Sequence, residues 1–284
     1  MGVVLVSTTP LVSVVIPLYN GMTYLQQTLD SILTQTYERV EIVITDGGST
    51  DGSCEWLKEY DENPIVKGYL PTGSGAAANW TYACELSSGK YVKLLCQDDI
   101  LYPHALEMQV QDLETCPSAR IAFAQRDMID SQGKVLSRKR GCQGLPAGLV
   151  SGKAALLAGY RAGTNIYGEP EAVLFERNAM LTALPWTDDE PFLLDMFFYS
   201  KILANHPAVT RKESVGAFRI SSASWSTRLV SEQRKQFRSW QHNAAKIIGE
   251  VSWKDHTLAF INNEKTTLLR RSAYAWLNLR NQMG

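Results

Sequence analysis

The side chains best suited to chemistry in this sequence are carboxylates in unusual company. Asp98 and Asp99 stand side by side at the end of the apolar run YVKLLCQDD. Like charges repel, and holding two of them beside a core is costly unless something positive is held there. A hard divalent cation, Mn2+ or Mg2+, takes oxygen ligands of this kind and is completed by substrate phosphates. The plainer reading is a solvated turn that opens the next helix. In DGGSTDGS, residues 46–53, glycines let the backbone approach a ligand closely, and Asp46 can accept a hydrogen bond from a flat base. The alternative there is a polar turn with Asp51 near the start of the following helix. Tyr19, in PLYN, can stack on such a base or sit half-buried in a turn. Asp195 lies among Leu193, Leu194, Met196, Phe197 and Phe198. A carboxyl in that setting has a raised pKa and suits general-base work, with Asp188, Asp189 and Glu190 as competitors.

These residues must be held by elements, and the first half of the chain alternates short strands and helices. VSVVI (12–16) reads as a buried strand stopping at Pro17, followed by an amphipathic helix with Leu25, Leu29, Ile32 and Leu33 on one face. VEIVIT (40–45), IVKGYL (65–70) and YVKLLC (90–96 with Lys90) read as further strands. SCEWLKEY reads as a short helix, GSGAAANWTYACELSSG as one closed by Gly89, and PHALEMQVQDLETCP as one with Pro103 in its first turn. This alternation predicts a mostly parallel sheet flanked by helices, with ligands outside the carboxyl ends of its strands. PLYN, DGGSTDG and CQDD all fall at such ends. Further on, RIAFAQRDMIDSQGKVLS predicts a hairpin turning at 131–133, SGKAALLAGYRAG a helix and EAVLFER a strand. DDEPFLLDMFFYSKILA predicts a helix with Asp195 in its middle, AVTRKESVGAFRI a strand or strand pair, and the chain beyond about Ser231 is helical.

Composition bounds the function. The 284 residues carry a net charge of −1, which gives no global argument for nucleic acid. No run of about 18 uncharged apolar residues predicts a spanning helix. The start, MGVVLVSTTP, has no basic region of a signal peptide and no myristoylation pattern. The five cysteines form no C-x-x-C pair and the four histidines no H-x-x-x-H pair, so buried thiols in a reducing cytosol are expected and a zinc site is not. Residues 228–284 hold ten basic and four acidic residues, leaving the rest of the chain acidic. A basic tail on an acidic body points to a membrane surface or an anionic acceptor, or simply to a solvated appendage.

VSVVIPLYN, then VEIVITDGGSTDGS, then GAAANWTYACELSSGKYVKLLCQDD resemble the nucleotide-binding half of the family 2 glycosyltransferases, with the GT-A fold, over roughly the first 110 residues. The resemblance implies a GT-A domain over residues 1–227, with donor binding at about 10–115 and the acceptor side at about 116–227, and a basic helical region at 228–284. It assigns the nucleotide sugar to Pro17, Tyr19, Asp46, Asn79 and Asp98 and the metal to Asp99 and Asp98, with the division of roles between the two open and Asp98 on the ribose, Asp99 on the metal, the favoured one. Many members read D-x-D-D where this chain reads Cys96-Gln97-Asp98-Asp99, so the first carboxylate is missing. PFLLDMFFYSKIL is similar to the helix bearing the family's catalytic base, which implies Asp195. AFRISSASWS resembles a stretch near the donor phosphates, which implies Arg219 and Ser224.

The parent family inverts configuration, and the absence of Q-x-x-R-W favours addition of a single sugar. The resemblance therefore implies transfer from a UDP- or dTDP-type donor, with Mn2+ or Mg2+, to a glycan or lipid-linked glycan in surface polysaccharide synthesis. The expected location is cytoplasmic, peripheral at the inner face of the membrane through the basic tail. One rival is a nucleotidyltransferase, but PLYNGMTYL offers no Lys or Arg to grip a triphosphate. The other is a non-catalytic binding module, which would be expected to lose Asp98, Asp99 or Asp195.

Overall fold

The structure, a computed structural model, describes residues 9–71, 75–222, 224–280 and 282–283. The reading of residues 1–8, and the Gly73-Ser74 lead into the third helix, lie outside these. Among the described residues ten strands form one sheet: β1 (Val12–Leu18), β2 (Val40–Asp46), β3 (Val66–Pro71), β4 (Tyr91–Leu94), β5 (Ile100–Leu101), β6 (Ile121–Ile129), β7 (Val135–Arg140), β8 (Gly148–Val150), β9 (Val173–Glu176) and β10 (Ala208–Arg219). Their order is β3-β2-β1-β4-β9-β6-β10-β5, with β7 beside β6 and β8 beside β10. β3, β2, β1 and β4 run parallel. β9 is antiparallel to both β4 and β6, and β10 is parallel to β6, so β1–β4, β6 and β10 share one direction.

The helices are α1 (Met22–Leu33), α2 (Ser53–Leu57), α3 (Gly75–Glu85), α4 (Ala105–Thr115), α5 (Gly152–Ala162), α6 (Arg177–Ala183), α7 (Leu194–Leu203), α8 (Trp225–Arg228), α9 (Gln233–Ile248) and α10 (Trp253–Leu279). The alternation of β1 divides them. Val14, Ile16 and Leu18 face a core with Leu25 and Leu29 of α1 and Leu106 of α4. Val15 faces the larger core, with Ala83 of α3, Leu156 of α5, Phe198 of α7 and Trp240 of α9. Trp240 is fully buried and its indole N–H reaches Met196 O (3.1 Å) and Ser200 Oγ (2.9 Å), stapling α9 to α7. The charge of the chain changes near residue 228; its packing does not.

Four local readings are corrected. Pro17 lies inside β1, because its ring nitrogen faces the β4 side of the strand beyond Val15↔Leu94, the last paired residues, and forfeits no ladder bond. Gly89 does not close α3, which ends at Glu85. It is needed for close approach: a Cβ there would meet Leu11 O at 2.6 Å and Ser13 N at 2.8 Å. α7 begins at Leu194, after a 3-10 turn at Pro191–Leu193, so Asp195 sits in the first turn rather than mid-helix. There a carboxylate faces unpaired backbone N–H groups and the positive end of the helix dipole. Pro103 likewise precedes α4, and β8 had no strand-like signal in the sequence.

Candidate active site

The carboxyl ends of β1, β2 and β4 converge, and the loops leaving them are bonded to one another. Gln97 exchanges two hydrogen bonds with Tyr19: Tyr19 N donates to Oε1 (2.8 Å) and Nε2 donates to Tyr19 O (2.7 Å). Gly21 leaves space for that side chain, since a Cβ there would sit 2.9 Å from Gln97 Cγ. Asn20 takes Thr50 N on its Oδ1 (2.8 Å) and gives its own N–H to Ser49 Oγ (2.9 Å). Asp51 reaches back to the first N–H of α1, Met22 (2.9 Å), rather than serving only its own helix.

Within this frame the expected donor residues divide into those that face outward and those that build the frame. Tyr19 is 57% exposed, its ring free at the rim. Pro17 is buried in β1. Asp46 is buried and holds its own turn, accepting from Gly48 N, Ser49 N and Ser49 Oγ. Asn79 is buried and donates to Leu18 O (2.9 Å), tying α3 to the end of β1. Ser224 is buried in a turn, accepting from Ser221 N and donating to Arg219 O.

Asp98 and Asp99 part company. Asp98 is half-buried, and among the described residues its carboxyl makes no hydrogen bond to another residue. Burial pushes it up to about 6. Asp99 has no exposed surface. One oxygen accepts Arg219 N (2.9 Å), the other has no partner, and burial with the charge of Glu171 holds its carboxyl well above the usual range. The expectation that Asp99 takes the metal therefore does not match its placement behind the rim. Nor does Arg219 face outward. It is 1% exposed, and its guanidinium donates to Asp98 O (2.8 Å), Asp130 O, Ser131 O and Gln27 Oε1 (2.9 Å) while stacking on Tyr24. It pins the Asp98-Asp99 turn from below, with each of its three nitrogens already bonded within the protein.

The second half closes on the same place. Asn165 donates to Asp195 Oδ2 (2.6 Å) and takes Tyr167 N and Gly168 N on its own oxygen, fixing the carboxyl against the 165–168 turn. Burial and the nearby charge of Glu169 push Asp195 up to about 7. Two carboxylates absent from the sequence reading appear here. Glu169 is ion-paired with Arg126, whose Nε also lies 3.8 Å from Glu171. Glu171 is fully buried, its oxygens without hydrogen-bond partners, and burial and Glu169 push it up to about 8. The signal for them was present: two acids flanking Pro170 in the otherwise apolar NIYGEPEAVLFER. Fully buried Lys93 donates to Gln109 Oε1 and to Glu171 O (2.9 Å), and burial lowers it to about 7. Cys96 has its thiol pushed well up by burial and by Asp99, Asp98, Glu171 and Asp195. A neutral thiol at this position adds no further charge to that group.

Among the described residues no three His, Cys, Asp or Glu side chains are grouped to hold a metal on their own. One free carboxylate, Asp98, fits a cation whose remaining ligands come from substrate phosphates and water.

Comparison with known proteins bears on the family and the fold. Residues 13–151 match the family described as Glycosyl transferase family 2. An uncharacterized glycosyltransferase of Rickettsia felis is 26% identical over 93% of this chain, which spans 44% of that protein's length. A putative teichuronic acid biosynthesis glycosyltransferase of Bacillus subtilis, TuaG, is 38% identical over 36% of this chain and 41% of its own. Among solved structures, the mannosyltransferase PcManGT of Pyrobaculum calidifontis, in complex with GDP-Man and Mn2+, superposes with a TM-score of 0.65 at 17% identity, covering 96% of this chain and 76% of that one. S. aureus TarS 1-349 in complex with UDP gives 0.62 at 14%, covering 84% and 69%. At these identities the structures establish the GT-A fold. Residues 13–151, just under half of the chain, are thus similar to the family 2 glycosyltransferases, on a fold shared with these solved glycosyltransferase structures.

Proposed function

We propose that this chain transfers a single sugar, with inversion, from a nucleoside-diphosphate sugar to a hydroxyl of a glycan or lipid-linked glycan acceptor. The observation that carries the reading is the free, half-exposed carboxyl of Asp98 at the strand ends, with Tyr19 exposed beside it and Asp195 tuned to about 7. Tyr19 offers a face for the base. Asp98 would hold Mn2+ or Mg2+, which when bound offsets the charge of the donor diphosphate. Asp99 and Arg219 act behind it as positioning residues. Asp195, oriented by Asn165, takes the proton from the acceptor hydroxyl as that oxygen bonds to the anomeric carbon. The bond from that carbon to the diphosphate oxygen breaks on the opposite side, and the nucleoside diphosphate leaves with the electron pair.

The nucleotides in the superposed structures, UDP in one and GDP-Man in the other, support a nucleotide sugar without choosing its base. The relative linked to teichuronic acid supports a role in surface polysaccharide synthesis. The test is thermal stability with UDP, dTDP and GDP, each with and without Mn2+. A metal-dependent rise that disappears in Asp98→Asn supports the reading. If no nucleotide shifts the transition, or the shift survives Asp98→Asn, the donor-site reading fails.

A further inference from the structure

α10 is a helix with two working faces. Its core side is narrow and small: Ala259, Asn263 and Thr267 are buried, and Thr266 and Asn262 bond to the carbonyls of Gly163 and Arg161 at the end of α5. The opposite side carries Leu258, Ile261, Leu268, Leu269, Trp276 and Leu279, exposed by 44% to 85%. At 3.6 residues per turn they make one stripe about 32 Å long. Most of the exposed large apolar side chains among the described residues are on this one helix. A helix that needs only its core face to fold has no structural use for such a stripe.

The charges on and around it are sorted. Asp255 is taken by Arg161 and Ser252, and Glu264 by Arg234 and Arg238. Lys254, Lys265 and Arg280 are exposed and make no ion pair among the described residues, and Arg280 lies 4.3 Å over the Trp276 ring. The outward face is thus apolar along its length, cationic in its middle and at both ends, and free of unpaired acid.

We infer that α10 is a docking surface for an anionic lipid bilayer, lying in the plane of the interface with Leu258, Ile261, Leu268, Leu269, Trp276 and Leu279 in the acyl boundary and Lys254, Lys265 and Arg280 on the headgroups. Apolar area and cationic side chains on one helix face are the two terms of interfacial binding, and here they coincide. A second copy of the chain fits less well: antiparallel pairing of two α10 helices in full register would bring Lys265, near the midpoint of the helix, against Lys265 of the other copy. This inference rests on α10 alone and not on the donor-site reading.

The test is co-sedimentation of the whole chain with phosphatidylcholine vesicles, with and without roughly one third phosphatidylglycerol. The expected result is binding to the anionic vesicles only, weakened on the order of tenfold in Leu268→Glu and in the double variant Lys254→Glu, Lys265→Glu, and weakened by 1 M salt. Circular dichroism of each variant should match the parent, because these side chains are exposed. No binding by the parent chain overturns the inference, as does binding that Leu268→Glu leaves intact. A chain that ignores vesicles but sediments as a dimer, split by Leu268→Glu, overturns it in favour of an interface between copies.

Discussion

The side-chain amide of Gln97 serves as one more rung between β1 and β4. The paired residues of the two strands stop at Val15↔Leu94, and four residues further along the chain, just past the end of β1, the backbone of Tyr19 finds its donor and acceptor in a single side chain. The exposed ring proposed to meet the base is therefore set by the residue next to the carboxylate proposed to meet the metal.

Gln97→Ala removes both bonds. The expected loss of stability is about 1 kcal/mol, since the pair is solvent-accessible and water replaces it in part. The affinity for nucleoside diphosphate should fall more than that loss suggests, because Tyr19 loses its fixed position. Urea unfolding and calorimetric titration of the same variant measure the two effects separately.

Arg219→Lys should be a folding defect. It leaves carbonyls of Asp98, Asp130 and Ser131 short of donors in a buried site, at a cost on the order of 3 kcal/mol. A phosphate-binding arginine would behave in the opposite way, with the urea midpoint unchanged and only donor affinity reduced.

Asp195→Asn keeps the size of the side chain, gives up one of the two hydrogen bonds that its oxygens accept from Asn165 and Met196 N, and removes the proposed base. Transfer should fall about a thousandfold while nucleotide binding holds. In the unsubstituted chain the proposed base acts deprotonated. With its pKa at about 7, kcat should rise as pH goes from 5 to 7 and level off above about 8. A profile flat from pH 5 to 8 would remove Asp195 from the role.

Glu171→Gln tests the buried acid layer through stability. In the folded chain Glu171 is held up to about 8, against 4.5 for a free carboxyl. Between those values the folded state keeps a proton that the unfolded state has lost. The contribution of Glu171 to stability is thus complete below about 4.5 and is lost as pH rises through about 8. Glutamine has no such dependence, so the variant should gain on the parent between pH 5 and pH 8 in urea unfolding.

What was legible in the sequence and what was not follow from the range of the interactions. The strands ending at PLYN, DGGSTDG and CQDD announce themselves because β-branched runs and turn residues are local signals. The buried setting of Asp195 was legible for the same reason, since its apolar neighbours are adjacent in the chain. Gly89 was misread because its partners, Leu11 and Ser13, are some 75 residues distant, and nothing near Gly89 tells a close approach from a helix cap. The inward turn of Arg219 depends on Gln27, Asp98 and Asp130, which only the folded sheet assembles. Asp98 and Asp99 look interchangeable in sequence, and it is the bond from Arg219 N that commits one of them to the interior.

β9 lies outside residues 13–151, yet it is the strand wedged between β4 and β6, both of which lie within them. A fragment cut at residue 151 would lose the slat that joins two panels. β4 and β6 would each become a bare edge with unmet backbone groups, open to pairing with any other chain in solution. The recognisable part of this protein is thus not its smallest foldable part. Gene fragments drawn to the family boundary should yield insoluble material, whereas those that run at least through β10 restore every strand of the sheet.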